Sequence, residues 1–129
     1  MIQEENVIVI DIDGTLCEKK PPTKSYSEVE PLHENVRQLK NYKEQGFYII
    51  LYTSRQMRTH QGNMGRINAD TAKVLFEWLD RHEIPYDEIH FGKPWCGKNG
   101  FYIDDKTIRP REFRELSFDE IHHILDRDI

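Results

Sequence analysis

The sequence is poor in cysteine and has no long hydrophobic run, and these absences exclude several classes of protein. Two of its 129 residues are cysteine, Cys17 and Cys96, which is too few for a disulfide scaffold or a thiolate zinc cluster built by this chain. No apolar stretch approaches the length of a membrane-spanning helix, and residues 1–6 lack the basic start of a signal peptide. A reducing, cytoplasmic location without membrane contact is therefore expected.

Positive charge is also in short supply. The 18 lysines and arginines are outnumbered by 23 aspartates and glutamates, and the net charge is −5 at pH 7. The charge balance therefore disfavours bulk binding to nucleic acid. Hydrophobic residues make up 37% and charged residues 32% of the chain, which is typical of a folded domain, and the length predicts a single domain over residues 1–129.

Short apolar runs alternate with helical patterns and predict an α/β fold with a parallel sheet. Residues 7–10 and 47–52 have the apolar composition of strands buried on both faces. Residues 88–91 and 101–103 are candidates for a third and a fourth strand. A long loop is expected over residues 53–68. Strands that alternate with helices favour parallel pairing with right-handed crossovers.

The helices are marked by their own boundary signals. Residues 31–46 begin with a proline, carry apolar residues on one face and end with a glycine. Helical spacing returns around Val74. Ser117 and Glu120 have the spacing of a capping box, which predicts a helix over residues 117–126.

Polar side chains suited to phosphate and metal chemistry directly follow the four predicted strands. They are Asp11, Asp13, Thr53, Lys93, Asp104 and Asp105. Because the carboxyl ends of parallel strands meet at one edge of a sheet, these side chains are expected to converge. Clustered carboxylates stay ionised only beside a cation, and Mg²⁺ is the usual hard ion at phosphate sites. The pattern therefore predicts Mg²⁺-assisted phosphate chemistry, with lysine and hydroxyl donors for the phosphate oxygens.

The spacing of the first acidic pair allows a division of roles. On an extended segment Asp11 and Asp13 point to the same side, so one could form an aspartyl-phosphate while the other transfers protons. An EF-hand is excluded, because Gly14 is the fourth residue counted from Asp11 and not the sixth. A receiver domain is disfavoured, because its acidic pair should precede the phosphoacceptor and here the pair Asp104-Asp105 comes last.

These residues resemble the ordered motifs of the haloacid dehalogenase (HAD) superfamily. Asp11-Ile-Asp-Gly-Thr15 resembles motif I, Thr53 motif II, Lys93 in Phe-Gly-Lys-Pro motif III, and Asp104-Asp105 motif IV. The resemblance implies a Rossmann-like three-layer sandwich with a central parallel sheet and a minimal or absent cap. It also implies a phosphatase that hydrolyses phosphomonoesters with Mg²⁺.

Longer stretches are similar to a smaller group within this superfamily. Residues 53–63, 92–97 and 101–110 resemble short bacterial proteins described as capsular polysaccharide biosynthesis phosphatases. This implies a small phosphorylated metabolite as substrate, such as a sugar phosphate or a polysaccharide-biosynthesis intermediate. Residues 16–30 leave room for a small flap but not for a cap domain. Substrate enclosure could then fall to a neighbouring copy, since small capless members of the superfamily are often homo-oligomers.

The resemblance also assigns roles to individual residues. Asp11 would be the nucleophile and a metal ligand, and Asp13 the acid/base with its backbone carbonyl on the metal. Thr53 and Lys93 would hold the phosphoryl group. Of Asp104 and Asp105 one is expected to reach the ion directly, because neighbouring strand-end residues point to opposite faces. Asp105 is favoured by likeness to members with two acids here.

The loop after the second strand is basic and contains no acid up to residue 69. We expect Ser54, Arg55 and Arg58 to bind substrate at an anion-binding rim, to which His60 and Arg66 would add charge. Cys17 has no partner signature and is expected to take no part in the site.

Two other functions stay open. A polynucleotide-end phosphatase would share the paired acids of motif IV, although the acidic net charge disfavours it. A non-catalytic regulatory or assembly subunit is disfavoured because no motif position is missing.

Overall fold

A parallel sheet brings the ends of three strands to one edge. The computed structural model describes residues 5–127, and the strands are β1 (Val7–Ile10), β2 (Tyr48–Thr53) and β3 (Glu88–Phe91). Their order is β1–β2–β3 with both pairs parallel, and Thr53 lies opposite Phe91. The predicted α/β class with a parallel sheet is confirmed, and the residues just beyond each strand are positioned for a site.

Helices connect and follow these strands. They are α1 (His33–Glu44), α2 (Met64–Arg66), α3 (Ala72–Arg81), α4 (Pro110–Glu115) and α5 (Phe118–Arg127). A π-helical stretch, Ile67–Thr71, joins α2 to α3 in one helical run. In the first unit, Leu39 of α1, Leu51 of β2 and Leu75 of α3 are fully buried.

The loop predicted over residues 53–68 is shorter than expected. Helical structure already begins at Met64, because the Asn63 side chain accepts a hydrogen bond of 3.2 Å from the backbone N–H of Arg66. This caps the first turn and satisfies a donor that would otherwise be unpaired. Gly65, which suggested a break, lies inside the helix instead.

The predicted fourth strand is wrong for the residues that the structure describes. Residues 101–103 pair with no strand of the described sheet, because a local apolar run does not by itself specify the strand with which it pairs. The capping box is confirmed: the Ser117 N–H donates to Glu120 Oε1 at 2.9 Å and the Glu120 N–H donates to Ser117 Oγ at 3.2 Å.

Strand β1 is less buried than its composition suggests. Ile10 is 7% exposed but Val9 is 61% exposed. The strand lies at the edge of the described sheet, paired with β2 on one side, and no described residue covers most of the Val9 side chain. The expectation that both faces of this strand are covered is therefore wrong for Val9.

The segment over residues 16–30 forms a closed loop with a short 3₁₀ helix, Tyr26–Glu28. Glu18 closes the loop, because its carboxylate accepts 2.7 Å hydrogen bonds from Lys24 Nζ and from the Glu30 N–H. The indole N–H of the buried Trp78 donates to the Val29 carbonyl at 2.9 Å. Helix α3 thus holds this flap in place.

The chain divides into two compact units, the first ending at Trp95 and the second beginning at Cys96. The single domain expected from the length stays a prediction. None of the helices described within residues 5–127 has both the length and the apolar composition of a membrane span.

The tryptophan that anchors the flap gives a test of this packing. Trp78→Phe should lower the free energy of unfolding by about 1–3 kcal/mol, because the Val29 carbonyl loses its donor and the smaller ring leaves space. Urea denaturation followed by circular dichroism measures this. Trp95, which is 43% exposed, provides the matched control: Trp95→Phe should change stability by less than about 0.5 kcal/mol. Equal losses would contradict the anchoring role.

Candidate active site

A tight turn after β1 positions the first two aspartates. The carbonyl of the buried Ile12 accepts hydrogen bonds from the N–H of Leu16 at 2.8 Å and the N–H of Cys17 at 3.2 Å. Gly14 has φ +84°, a value that side chains other than glycine rarely tolerate. The chain therefore reverses directly after Asp13, and Asp11 and Asp13 stay at the carboxyl edge of the sheet.

Lys19 lies against this turn and was not anticipated from the sequence. A Cβ atom on Gly14 would lie 3.2 Å from Lys19 Cε, so the lysine stem packs on the glycine. Its charge acts on Asp11. The only signal in the sequence is the run of lysines after motif I, which is equally typical of a solvated loop.

Opposing electrostatic influences meet at Asp11. Burial is the largest and raises the pKa of its carboxyl above the usual value, and Asp13 acts in the same direction. Lys93 is the main opposing influence, followed by the N–H of Ile12 and by Lys19. A partly desolvated carboxylate with a lysine nearby suits a nucleophile that attacks an anionic phosphoryl group.

Thr53 and Lys93 come together through the pairing of β2 with β3. The Lys93 N–H donates to the Thr53 carbonyl at 3.1 Å. The Thr53 hydroxyl oxygen accepts a hydrogen bond of 3.0 Å from the Arg55 N–H, so its proton can be donated elsewhere. Thr53 is 1% exposed. Ser54 is half-buried and its carbonyl accepts the N–H of Met57, which starts the turn after β2.

Arg55 has a different position from the one expected of a rim residue. It is 4% exposed, and its guanidinium binds both carboxylate oxygens of Asp13, with Nε to Oδ2 at 3.2 Å and Nη2 to Oδ1 at 2.9 Å. The Tyr26 ring packs against the same guanidinium, with 4.4 Å from Cζ to the ring centroid. Arg55 therefore holds Asp13 and joins it to the flap; its contact with substrate stays a prediction.

Cys17 also contacts the acid/base candidate. Its Sγ lies 3.5 Å from Asp13 Oδ1 and 3.8 Å from Arg55 Nη2. Burial, and next the charge of Asp13, raise the pKa of the thiol to about 12. The protonated thiol donates to the carboxylate, so Cys17 helps to orient Asp13, contrary to the expectation that it has no part in the site.

The other basic residues of the loop, Arg58, His60 and Arg66, have different neighbours. Arg58 is exposed, and its Cζ lies 5.4 Å from the centroid of the Trp95 ring, so a cation and an aromatic face stand side by side near Lys93. His60 Nε2 and Arg66 Nη2 lie 3.8 Å and 4.0 Å from the Asp70 carboxylate. Asp70, just beyond the acid-free span, thus offsets part of the expected positive rim.

Asp104 and Asp105 lie in the second unit. Both are exposed, and the pKa of Asp104 is lowered, mainly because its carboxylate accepts a 2.9 Å hydrogen bond from the Lys106 N–H. Within residues 5–127, no three or more His, Cys, Asp or Glu side chains are grouped as a metal site. The metal-binding role of the acidic pair stays a prediction.

The sequence model of the haloacid dehalogenase-like hydrolases matches residues 8–77, which include motif I, Thr53 and Arg55. The chain belongs to this family. Over 96% of its length it is 44% identical to the crystal structure of a structural-genomics target from Vibrio cholerae, of which it covers 99%, with a TM-score of 0.91. A chain of the Pnkp1/Rnl/Hen1 complex is 24% identical over 85% of this chain and 33% of that one, with a TM-score of 0.49. None of the curated proteins matches.

The position of Cys17 predicts its reactivity. With a pKa of about 12, the buried thiol carries almost no thiolate at pH 8 and should resist alkylation. Treatment of the native protein with iodoacetamide at pH 8, followed by peptide mass spectrometry, should leave Cys17 unmodified. In denaturant it should be alkylated to the same extent as Cys96. Ready alkylation in the native state would contradict the hydrogen bond to Asp13.

Proposed function

We propose that this hydrolase is a Mg²⁺-dependent phosphatase that cleaves phosphomonoesters through an aspartyl-phosphate. The arrangement that carries the proposal is the pair at the end of β1. Asp11 is partly desolvated by burial and the charge of Lys93 favours its ionised form, while Asp13 is held by Arg55. Family membership supports hydrolysis; the roles of the individual residues are the proposal.

In the first half-reaction a carboxylate oxygen of Asp11 attacks phosphorus, and the bond from phosphorus to the leaving-group oxygen breaks. This step requires the acid form of Asp13: it gives its proton to that oxygen, so the product leaves as a neutral alcohol, and the carboxylate that results is the form paired with Arg55. In the second half-reaction Asp13 takes a proton from water as the water oxygen attacks the phosphoryl group. Inorganic phosphate leaves, and Asp11 is free again while Asp13 is protonated.

Arg55 and Cys17 serve this proton transfer by orientation. The two hydrogen bonds from Arg55 and the contact from the thiol hold the Asp13 carboxyl in one direction. A carboxylate oxygen has more than one lone pair, so these contacts leave capacity for the transferred proton. Thr53 would donate its hydroxyl proton, and Lys93 its ammonium protons, to the phosphoryl oxygens.

The residues present fit a magnesium ion by their donor chemistry. Burial and the nearby charge of Asp13 both disfavour the ionised form of Asp11. A divalent cation with oxygen ligands would offset this repulsion. Asp11 would contribute a carboxylate oxygen. Asp13 would contribute its backbone carbonyl, since its carboxylate is bound to Arg55. One of Asp104 and Asp105 would supply the further acid. The ion would offset the charge of the phosphoryl group.

We favour a sugar phosphate or a related intermediate of surface-polysaccharide assembly as the substrate. Residues 53–63, 92–97 and 101–110 resemble the capsular polysaccharide biosynthesis phosphatases, and the net charge of −5 disfavours a polynucleotide. A recess of about 230 Å³ lies beside Arg55, and its wall includes Tyr26, Gln56, Asp70 and Thr71 but none of Asp11, Asp13, Thr53 and Lys93.

The proposal is tested by phosphate release from a panel of phosphorylated sugars, nucleotides and oligonucleotide ends. Wild type with Mg²⁺ should hydrolyse at least one small phosphomonoester, EDTA should stop the reaction, and added Mg²⁺ should restore it. Asp11→Asn should lower kcat at least about a thousandfold, because the amide cannot attack phosphorus. A fully active metal-free preparation would exclude the metal site, and an active Asp11→Asn variant would exclude the nucleophile.

Substitutions of Arg55 and Arg58 should differ in how their effect on catalysis depends on the substrate. Arg58→Ala should lower kcat/KM for the best sugar phosphate roughly tenfold to a hundredfold while leaving p-nitrophenyl phosphate almost unaffected, since the aryl group offers nothing for Arg58 to bind. Arg55→Ala should lower kcat for both substrates, because it releases Asp13. Steady-state kinetics on the two compounds measure this. If Arg55→Ala spared the aryl phosphate, Arg55 would be a substrate ligand and not a positioning residue.

A further inference from the structure

One edge of the described sheet is open. Within residues 5–127, β1 pairs with β2 alone, so the N–H and C=O groups of its other side have no strand beside them. Val9, within this edge strand, is itself 61% exposed. An open edge with an exposed apolar side chain is a surface on which another strand can add.

The second unit carries a segment with the matching properties. Residues 101–103 are Phe-Tyr-Ile, a composition that favours strands, yet they have no strand geometry. Phe101 is 76% exposed and Ile103 is 87% exposed. Large apolar side chains at this exposure are costly in water and are typical of a surface that another element covers.

The segment also carries the acids that the site needs. Asp104 follows Ile103 as directly as Asp11 follows Ile10. If residues 101–103 added to β1 in parallel, Asp104 and Asp105 would reach the same edge of the sheet as Asp11. There, Lys19 and Lys93 already act on Asp11, so the edge has positive charge that favours further carboxylates.

We propose that the active site is completed by a second copy of the chain, whose residues 101–103 add to β1 as a fourth parallel strand. The exchange is reciprocal, because each copy carries one open edge and one matching segment, on separate compact units. Reciprocal exchange of an identical element closes a two-fold dimer and leaves neither surface exposed. The catalytic role of the acids rests on the proposed function, whereas the strand exchange does not.

Complementation between two inactive variants tests whether the acids act in trans. Asp11→Asn and the double variant Asp104→Asn, Asp105→Asn are co-expressed with different affinity tags, and complexes that carry both tags are isolated. In an exchanged dimer one site combines an intact first unit with an intact second unit, so about half of the wild-type activity should return. The matched control pairs Asp11→Asn with Thr53→Ala. Both changes lie in the first unit, so neither site is intact and no activity should return.

Oligomeric state separates failure of this inference from failure of the proposed function. Light scattering after gel filtration should give a dimer for wild type and a monomer for Ile103→Asp. Val9→Lys changes an exposed residue of the first unit and should also give a monomer. If Ile103→Asp fails to fold, the result for Val9→Lys decides the test. The inference would be overturned by any of three results: wild type is a monomer, both variants remain dimers, or wild type is active but the two inactive variants do not complement each other. Dissociation by both variants in a protein without phosphatase activity would support the exchange and reject the function.

Discussion

The ion pair between Arg55 and Asp13 is the contact on which the rest of the site depends. Arg55 is 4% exposed, and a buried guanidinium is tolerated when its charge is paired, because the desolvation of a lone cation costs several kcal/mol. Its Nη1 has no hydrogen-bond partner among the described residues, so the pairing rests on Nε and Nη2. Asp13 supplies both acceptor oxygens. The turn after β1, the turn after β2 and the flap that carries Tyr26 are therefore held in one arrangement by one buried charge.

That arrangement gives Asp11 and Asp13 different environments, although they are only two residues apart in the sequence. Asp13 is engaged by an arginine and a thiol. Asp11 is held by the N–H of Ile12, and its charge is balanced mainly by Lys93. Two carboxyl groups in different surroundings can take different parts in one reaction, one as nucleophile and one as proton carrier. The chemistry thus follows from which partners the fold brings to each carboxylate.

Local patterns predicted several elements of both units. The bounds of β1 and β3 agree with the apolar runs, and the Ser117 capping box forms as expected. These features depend on short-range physics: β-branched residues favour strands, and a hydroxyl three residues before a carboxylate satisfies unpaired N–H groups. The proximity of the motif residues Thr53 and Lys93 could also be predicted from the sequence, because the carboxyl ends of parallel strands lie at one edge of the sheet.

What the sequence determined by itself is which residues follow each strand, and hence the composition of the site. The tertiary structure decided how they are used. The burial of Arg55 against Asp13, the approach of the Cys17 thiol and the packing of Lys19 on Gly14 are contacts between segments whose pairing no local pattern encodes. The same holds for residues 101–103, whose apolar composition favours a strand but cannot name its partner. Strand formation needs a second edge, and only the assembled fold decides where that edge lies.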